Sequence, residues 1–147
     1  MGSLSIHCRN LTKTYTSNGV STPALRGIDL EVTTKELLMV VGPSGGGKTT
    51  LISIMSGTLN QDSGDCLVMG TDLRKLSSSG KAKFRSQNVG FVFQSFNLIP
   101  TITNQDNVAI SLLLQGVERK VAYEKAAIML TKLGMGDKIY TFPNQLS

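Results

Sequence analysis

Gly42-Pro43-Ser44-Gly45-Gly46-Gly47-Lys48-Thr49 fits the pattern G-x-x-x-x-G-K-[ST], and its neighbours supply the context that pattern needs. Leu37 to Val41 before it is a continuous apolar run of the kind buried on both faces in a parallel sheet. Thr49 to Ser56 after it reads as a helix, with Leu51, Ile52, Ile54 and Met55 buried around most of its circumference and Gly57 as its C-cap. Strand, glycine loop and helix make a phosphate cradle. Consecutive glycines let backbone N–H groups approach phosphate oxygens, and the helix N-terminus adds its positive dipole end. Lys48 then reaches the β and γ phosphates, and the Thr49 hydroxyl is a hard oxygen ligand for Mg²⁺.

Outward from the loop, Leu4 to Cys8 and Ile28 to Val32 alternate apolar and polar residues as half-buried strands do. Ser17, Asn18, Gly19 and Pro23 mark the turn region between them, which predicts an antiparallel β start. Cys66 to Met69, closed by Gly70, and Val89 to Phe93 read as short strands. Helices are expected from Asn104 to Gln115, ending at Gly116, and from Arg119 to Leu133, ending at Gly134. Val121, Ala122, Ala126, Met129, Leu130 and Leu133 recur at helical spacing in the second of these.

The chain has 147 residues, 40% hydrophobic and 17% charged, which suits one globular domain able to bury roughly 70% of its unfolded surface. Its apolar runs fall far below the ~20 residues of a membrane-spanning helix. The N-terminus carries no secretory pattern, and Ile6 stands where a myristoylation pattern needs Ser or Thr. A cytosolic address follows. Cys8 and Cys66 lie too far apart in sequence for a CxxC pair, and His7 is the only histidine, so the cysteines are read as buried reduced thiols and His7 as structural. The +5 net charge concentrates at Arg74, Lys75, Lys81, Lys83 and Arg85. This patch is either a solvated helix face or a contact for anionic headgroups or nucleic acid; only Phe84 interrupts it, which disfavours a base-stacking surface and any specific nucleic acid.

A phosphate cradle alone does not select among kinases, GTPases and transport ATPases. The remaining motifs do. LTKTY ending at Tyr15, PALRGIDLEV, SGTLNQDSGDCLVMG ending at Gly70, and NVGFVFQSFNLIPTITNQDNV around Gln94 occur in the order of the ATP-binding subunits of ABC transporters. Across nearly the whole chain the sequence resembles that family, within it the branch serving lipoprotein release, macrolide-type efflux and a cell-division complex. The resemblance implies an α/β fold, a P-loop NTPase core with an N-terminal antiparallel β subdomain (about 1–95) and the start of a helical subdomain (about 96–147). It implies ATP and Mg²⁺ as cofactors, Tyr15 stacking on adenine, and Gly42, Pro43, Ser44, Gly45, Gly46, Gly47, Lys48, Thr49 and Thr50 around the phosphates. Gln94 becomes the γ-phosphate sensor and, with Thr49, a magnesium ligand; Lys48 and Gln94 form the catalytic set. Partners would be transmembrane permease subunits, whose coupling helices meet the neighbourhood of Phe96, Leu98 and Ile99, and a second nucleotide-binding subunit. The site of action would be the cytoplasmic face of the inner membrane. Phe96, Leu98 and Ile99 suit core and interface equally.

Departures from the family pattern are Lys35-Glu36 where Gly-Glu is usual before the P-loop strand, and the end of the chain, where Leu146 and Ser147 match the first two residues of the signature LSGGQ. A Walker B strand with its glutamate and the switch histidine have no match, so the resemblance implies a chain whose C-terminal part of the domain is missing and which does not hydrolyse ATP alone. The alternative is a nucleotide-binding or regulatory module that never hydrolyses ATP. A small-molecule kinase would need an acceptor carboxylate or lid arginines, and neither is recognisable.

Overall fold

A two-residue turn at Asn18 (φ 51°) and Gly19 (φ 77°) joins the two longest strands, β1 (Leu4–Ser17) and β2 (Val20–Thr33). Positive φ at both positions is the geometry whose twist matches an antiparallel pair, and Asn-Gly is the dipeptide that tolerates it. In the computed structural model, residues 3–92 and 96–146 are described. The chain divides into two compact units, Met1–Arg85 and Ser86–Ser147.

In the first unit, β3 (Ser63–Val68) pairs antiparallel with β1, and the short β4 (Thr71–Asp72) with β3, giving the order β2-β1-β3-β4. The β1–β3 ladder breaks between Arg9 and Thr12. Asn10 bulges there at φ 46° and donates its N–H to Asp29 Oδ1 at 2.8 Å. Gly64, at φ 80°, lies against this bulge, and a Cβ at that position would stand 2.2 Å from the Asn10 carbonyl oxygen. Only glycine fits.

The helix α1 (Lys48–Met55) lays Leu51 and Ile54 on the sheet against Cys8, Leu11, Leu25, Cys66, Val68 and Leu73. Its burial is one-sided: Ile52 is exposed, contrary to the all-round burial expected, because the sheet covers a single face. Gly57 (φ 71°) ends it as expected, with the Thr58 N–H reaching the Ser53 carbonyl at 3.0 Å. Cys8 and Cys66 are buried, free and directly opposite across β1 and β3, with sulfurs 3.5 Å apart.

The basic cluster is largely drawn into the unit's own structure. Arg74 spans Asp65 and Asp72. On α2 (Ser78–Asn88), Lys81 donates to Asn60 Oδ1 at 2.7 Å and Arg85 to the Gly57 carbonyl at 3.0 Å, where cations favour the C-terminal end of α1.

The second unit is a helix pair, α3 (Asn104–Leu114) and α4 (Arg119–Lys132). Ala109, Ala122 and Ala126 form its centre, small side chains that let the helices approach closely. Thr103 and Asp106 form a reciprocal capping box at the start of α3, and Asp106 also accepts from the Tyr123 hydroxyl. Of the residues at helical spacing in α4, Ala122, Ala126 and Leu130 are buried, whereas Met129 and Leu133 are exposed.

Two expected strands are not formed. Residues 37–41 and 89–92 have no ladder; Leu37 is 92% and Val92 97% exposed, and Phe93 lies outside the described residues. An apolar run encodes a preference for burial, but a strand exists only with a neighbour to accept its backbone hydrogen bonds. Among the described residues no segment pairs with either run.

Candidate nucleotide-binding site

Three local features of the sequence bring one cleft together. The glycine at position 47 is the N-cap of α1 at φ 80°, and a Cβ there would meet the Ala24 carbonyl at 2.3 Å; its missing side chain lets the loop lie directly on β2. No carboxylate stands in the first turn of α1, and Gly47 offers no capping side chain, so the positive helix end is not neutralised from within. Tyr15, opposite Thr22 in the β1–β2 register, reaches across so that its hydroxyl lies 3.4 Å from Thr50 Oγ1.

The resulting cleft, about 430 Å³, is lined by Ser44 to Thr50 on one side and by Tyr15, Thr22, Pro23 and Ala24 on the other. The structure thus gathers Tyr15, Ser44, Gly45, Gly46, Gly47, Lys48, Thr49 and Thr50. Gly42 and Pro43 stand just behind, where their carbonyls accept from Lys48 Nζ at 2.8 and 2.6 Å. Gln94 lies outside the described residues. The β2 wall went unrecognised in the sequence, since Pro23 reads there as a turn signal; only the register that sets Tyr15 beside Thr22 reveals it.

Chemically the cleft is a donor-rich trough. It offers the α1 N-terminus and the Lys48 ammonium to an anion, and a half-exposed aromatic ring at one end. Its lining contains no carboxylate. The Thr49 hydroxyl, one residue into α1, is a hard oxygen of the type that suits an octahedral ion retaining water and phosphate ligands. Among the described residues no group of three or more His, Cys, Asp or Glu side chains is placed to hold a metal. No helix among them is long and apolar enough to cross a membrane.

The second unit carries a separate apolar hollow of about 710 Å³, lined among others by Phe96, Leu98, Met135, Pro143 and Leu146. Phe96 is 82% exposed and, like Asn97, holds a positive φ near 55°, a conformation that costs a bulky residue energy. The cluster at Phe96, Leu98 and Ile99 is therefore surface within its unit.

The chain is 39% identical over 138 residues to the lipoprotein-releasing system ATP-binding protein LolD of Shewanella oneidensis, covering 93% of this chain and 60% of that protein. It is 41% identical over 143 residues to the LolD of Bacteroides thetaiotaomicron, covering 97% and 63%. A dimeric ATP-binding cassette solved in a post-hydrolysis state with ADP and Pi superposes with a TM-score of 0.87 at 29% identity, over 97% of this chain and 63% of that one. The chain spans about three-fifths of the length of these relatives. The sequence model described as ABC transporter matches residues 25–147, and the chain belongs to that family.

Proposed function

We propose that this chain is a nucleotide-binding part of an ABC transporter ATP-binding subunit of the LolD type, and that it holds Mg-ATP in the cleft between Tyr15 and the start of α1. One observation carries the reading: Lys48 and the uncapped α1 N-terminus converge on a trough that ends at an aromatic ring. Lys48 exchanges its two carbonyl acceptors for phosphate oxygens, a charge-assisted replacement of neutral hydrogen bonds. The first-turn N–H groups of α1 bind the phosphates, Tyr15 stacks on adenine, and the Thr49 hydroxyl joins the magnesium shell. Gln94 would sense the γ-phosphate.

Within the full-length family the role is to couple ATP binding and hydrolysis to export or lipoprotein extraction at the cytoplasmic face of the inner membrane. Two such subunits act with transmembrane permeases. Residues about 1–95 form the β and P-loop core and about 96–147 the Q-loop and helical subdomain, and the exposed hollow at Phe96 and Leu98 suits an apolar helix of the permease. We infer that this chain by itself does not hydrolyse ATP, since among the described residues the cleft has no carboxylate to polarise the attacking water. In that state it is a nucleotide-binding module.

Titration calorimetry of the chain with Mg-ATP tests the reading. Binding is expected at micromolar Kd, weakened at least about tenfold by Lys48→Ala through the lost charged contacts, with phosphate release at the buffer background. Binding that is indifferent to Lys48→Ala would defeat it.

A further inference from the structure

The strand that carries Tyr15 outruns its neighbour. β1 continues to Ser17, but β3 begins only at Ser63, and the β1–β3 ladder ends at the pair Thr12 and Ser63. Beyond that pair the backbone of residues 13–15 has no strand on its β3 side. Across β2 its partner at Thr14 is Pro23, and the Thr14 N–H points the other way, to the β3 side. Asp62 takes the place of the absent strand. Its own N–H donates to the Thr12 carbonyl at 3.0 Å. One carboxylate oxygen accepts the Thr14 N–H at 2.7 Å, and the other accepts Lys13 Nζ at 2.6 Å.

Lys13 and Tyr15 share a face of the strand, as residues two apart must. The Lys13 ammonium, held by Asp62, stands 6.0 Å from the centre of the Tyr15 ring. The ring's far end is tethered through its hydroxyl to Thr50 on α1. Tyr15 is thus fixed at its root by a carboxylate on the β3 side and at its tip by the helix that would hold the phosphates. Both hydrogen bonds also hold the Asp62 carboxyl below the usual carboxylate range, the Lys13 contact first and the Thr14 N–H second.

We propose that Asp62 is a positioning residue for the base-stacking end of the site. It prolongs the β1–β3 ladder by two residues and holds the Lys13 ammonium over the Tyr15 ring, so that the ring is fixed in place for a nucleobase whose phosphates lie in the loop at Gly42 to Thr49. This rests on the nucleotide-binding reading above. Asp62 touches no ligand itself; its effect on binding passes through Thr14, Lys13 and Tyr15.

The effect should fall on the base and spare the phosphates. Calorimetry of the full chain with Mg-ATP and with inorganic tripolyphosphate, which has no base, separates the two. Asp62→Ala is expected to weaken Mg-ATP by about tenfold, the scale of a lost stacking contact, while tripolyphosphate binds within about twofold of the unaltered protein. Asp62→Asn, which keeps one acceptor for Thr14 and loses the charge that holds Lys13, should fall between them. In a Tyr15→Ala background the Asp62→Ala change should cost nothing more. Equal loss of ATP and tripolyphosphate would mean that Asp62 only supports the fold, and unchanged ATP binding in Asp62→Ala would also overturn the proposal. If the unaltered chain binds neither probe, the nucleotide reading fails and this proposal with it; if it binds both through Lys48 and Asp62→Ala changes nothing, only the proposal fails.

Discussion

Lys48 shows how far a single residue could be read. Its place in the G-x-x-x-x-G-K-[ST] spacing names its chemistry, because that spacing is what sets an ammonium beside backbone donors. Its contacts with the Gly42 and Pro43 carbonyls depend on how the loop curls, which pattern cannot express. Asp62 was illegible for a related reason: nothing in LNQDSG says that β3 will begin only one residue later and leave Thr14 in need of an acceptor. Cys8 and Cys66 lie between these cases. Burial was readable from residue type, but their pairing across β1 and β3 is 58 positions apart in sequence. The hydrogen bond with Cys8 and burial push the Cys66 thiol well above its ordinary range, and both residues are buried. Iodoacetamide at pH 8 should therefore leave both thiols intact in the native chain and label both once denaturant is added, as intact mass would report. Rapid labelling of either thiol without denaturant would contradict the packing of this core.

At the level of elements, what the sequence made readable was largely what glycine marks. Gly57 and the Asn18-Gly19 turn fixed ends by backbone conformation, a local property. The runs at 37–41 and 89–92 failed as strands because pairing is not local. α3 owes its start to Thr103 and Asp106, and that start titrates. The Thr103 hydroxyl, then the Tyr123 hydroxyl and the Thr103 N–H, hold the Asp106 carboxyl below its ordinary value. A depressed folded-state pKa contributes stability that is present above the unfolded value of about 4 and is lost as pH falls through the folded one. Thermal melts by circular dichroism should show the unaltered chain losing stability between pH 5 and pH 3, to use round values around that window. Asp106→Asn should be less stable at neutral pH, by roughly 1 kcal/mol for a broken cap, and should lose less on acidification. Asp62 and Asp72 are depressed with the same sign, so the difference between the two proteins isolates Asp106. Parallel acid loss in both would rule out this role for the cap.

On the scale of the whole molecule, the exposed apolar runs that join no strand ladder among the described residues set an expectation for behaviour in solution. Leu37, Met39 and Val41 are 92%, 77% and 77% exposed in the first unit, and Phe91 and Val92 47% and 97% in the second. Each run is short, β-prone and uncharged, and its backbone donors and acceptors have no ladder among the described residues. Such segments template pairing between chains. The chain alone should therefore self-associate as its concentration rises from about 1 to about 100 μM, the range in which exposed strand edges aggregate, and should bind a hydrophobic dye while doing so. Sedimentation velocity measures the first and dye fluorescence the second. Replacing Leu37 and Met39 by lysine sets a charge on the run without touching the loop or α1, and should shift the population toward monomer while leaving the affinity for Mg-ATP unchanged. A chain that stays monomeric across that range before any substitution would show that both runs find cover within a single molecule. Association that persists unchanged in the double lysine variant would move its cause to another surface, of which the hollow at Phe96 and Leu98 is the next to test.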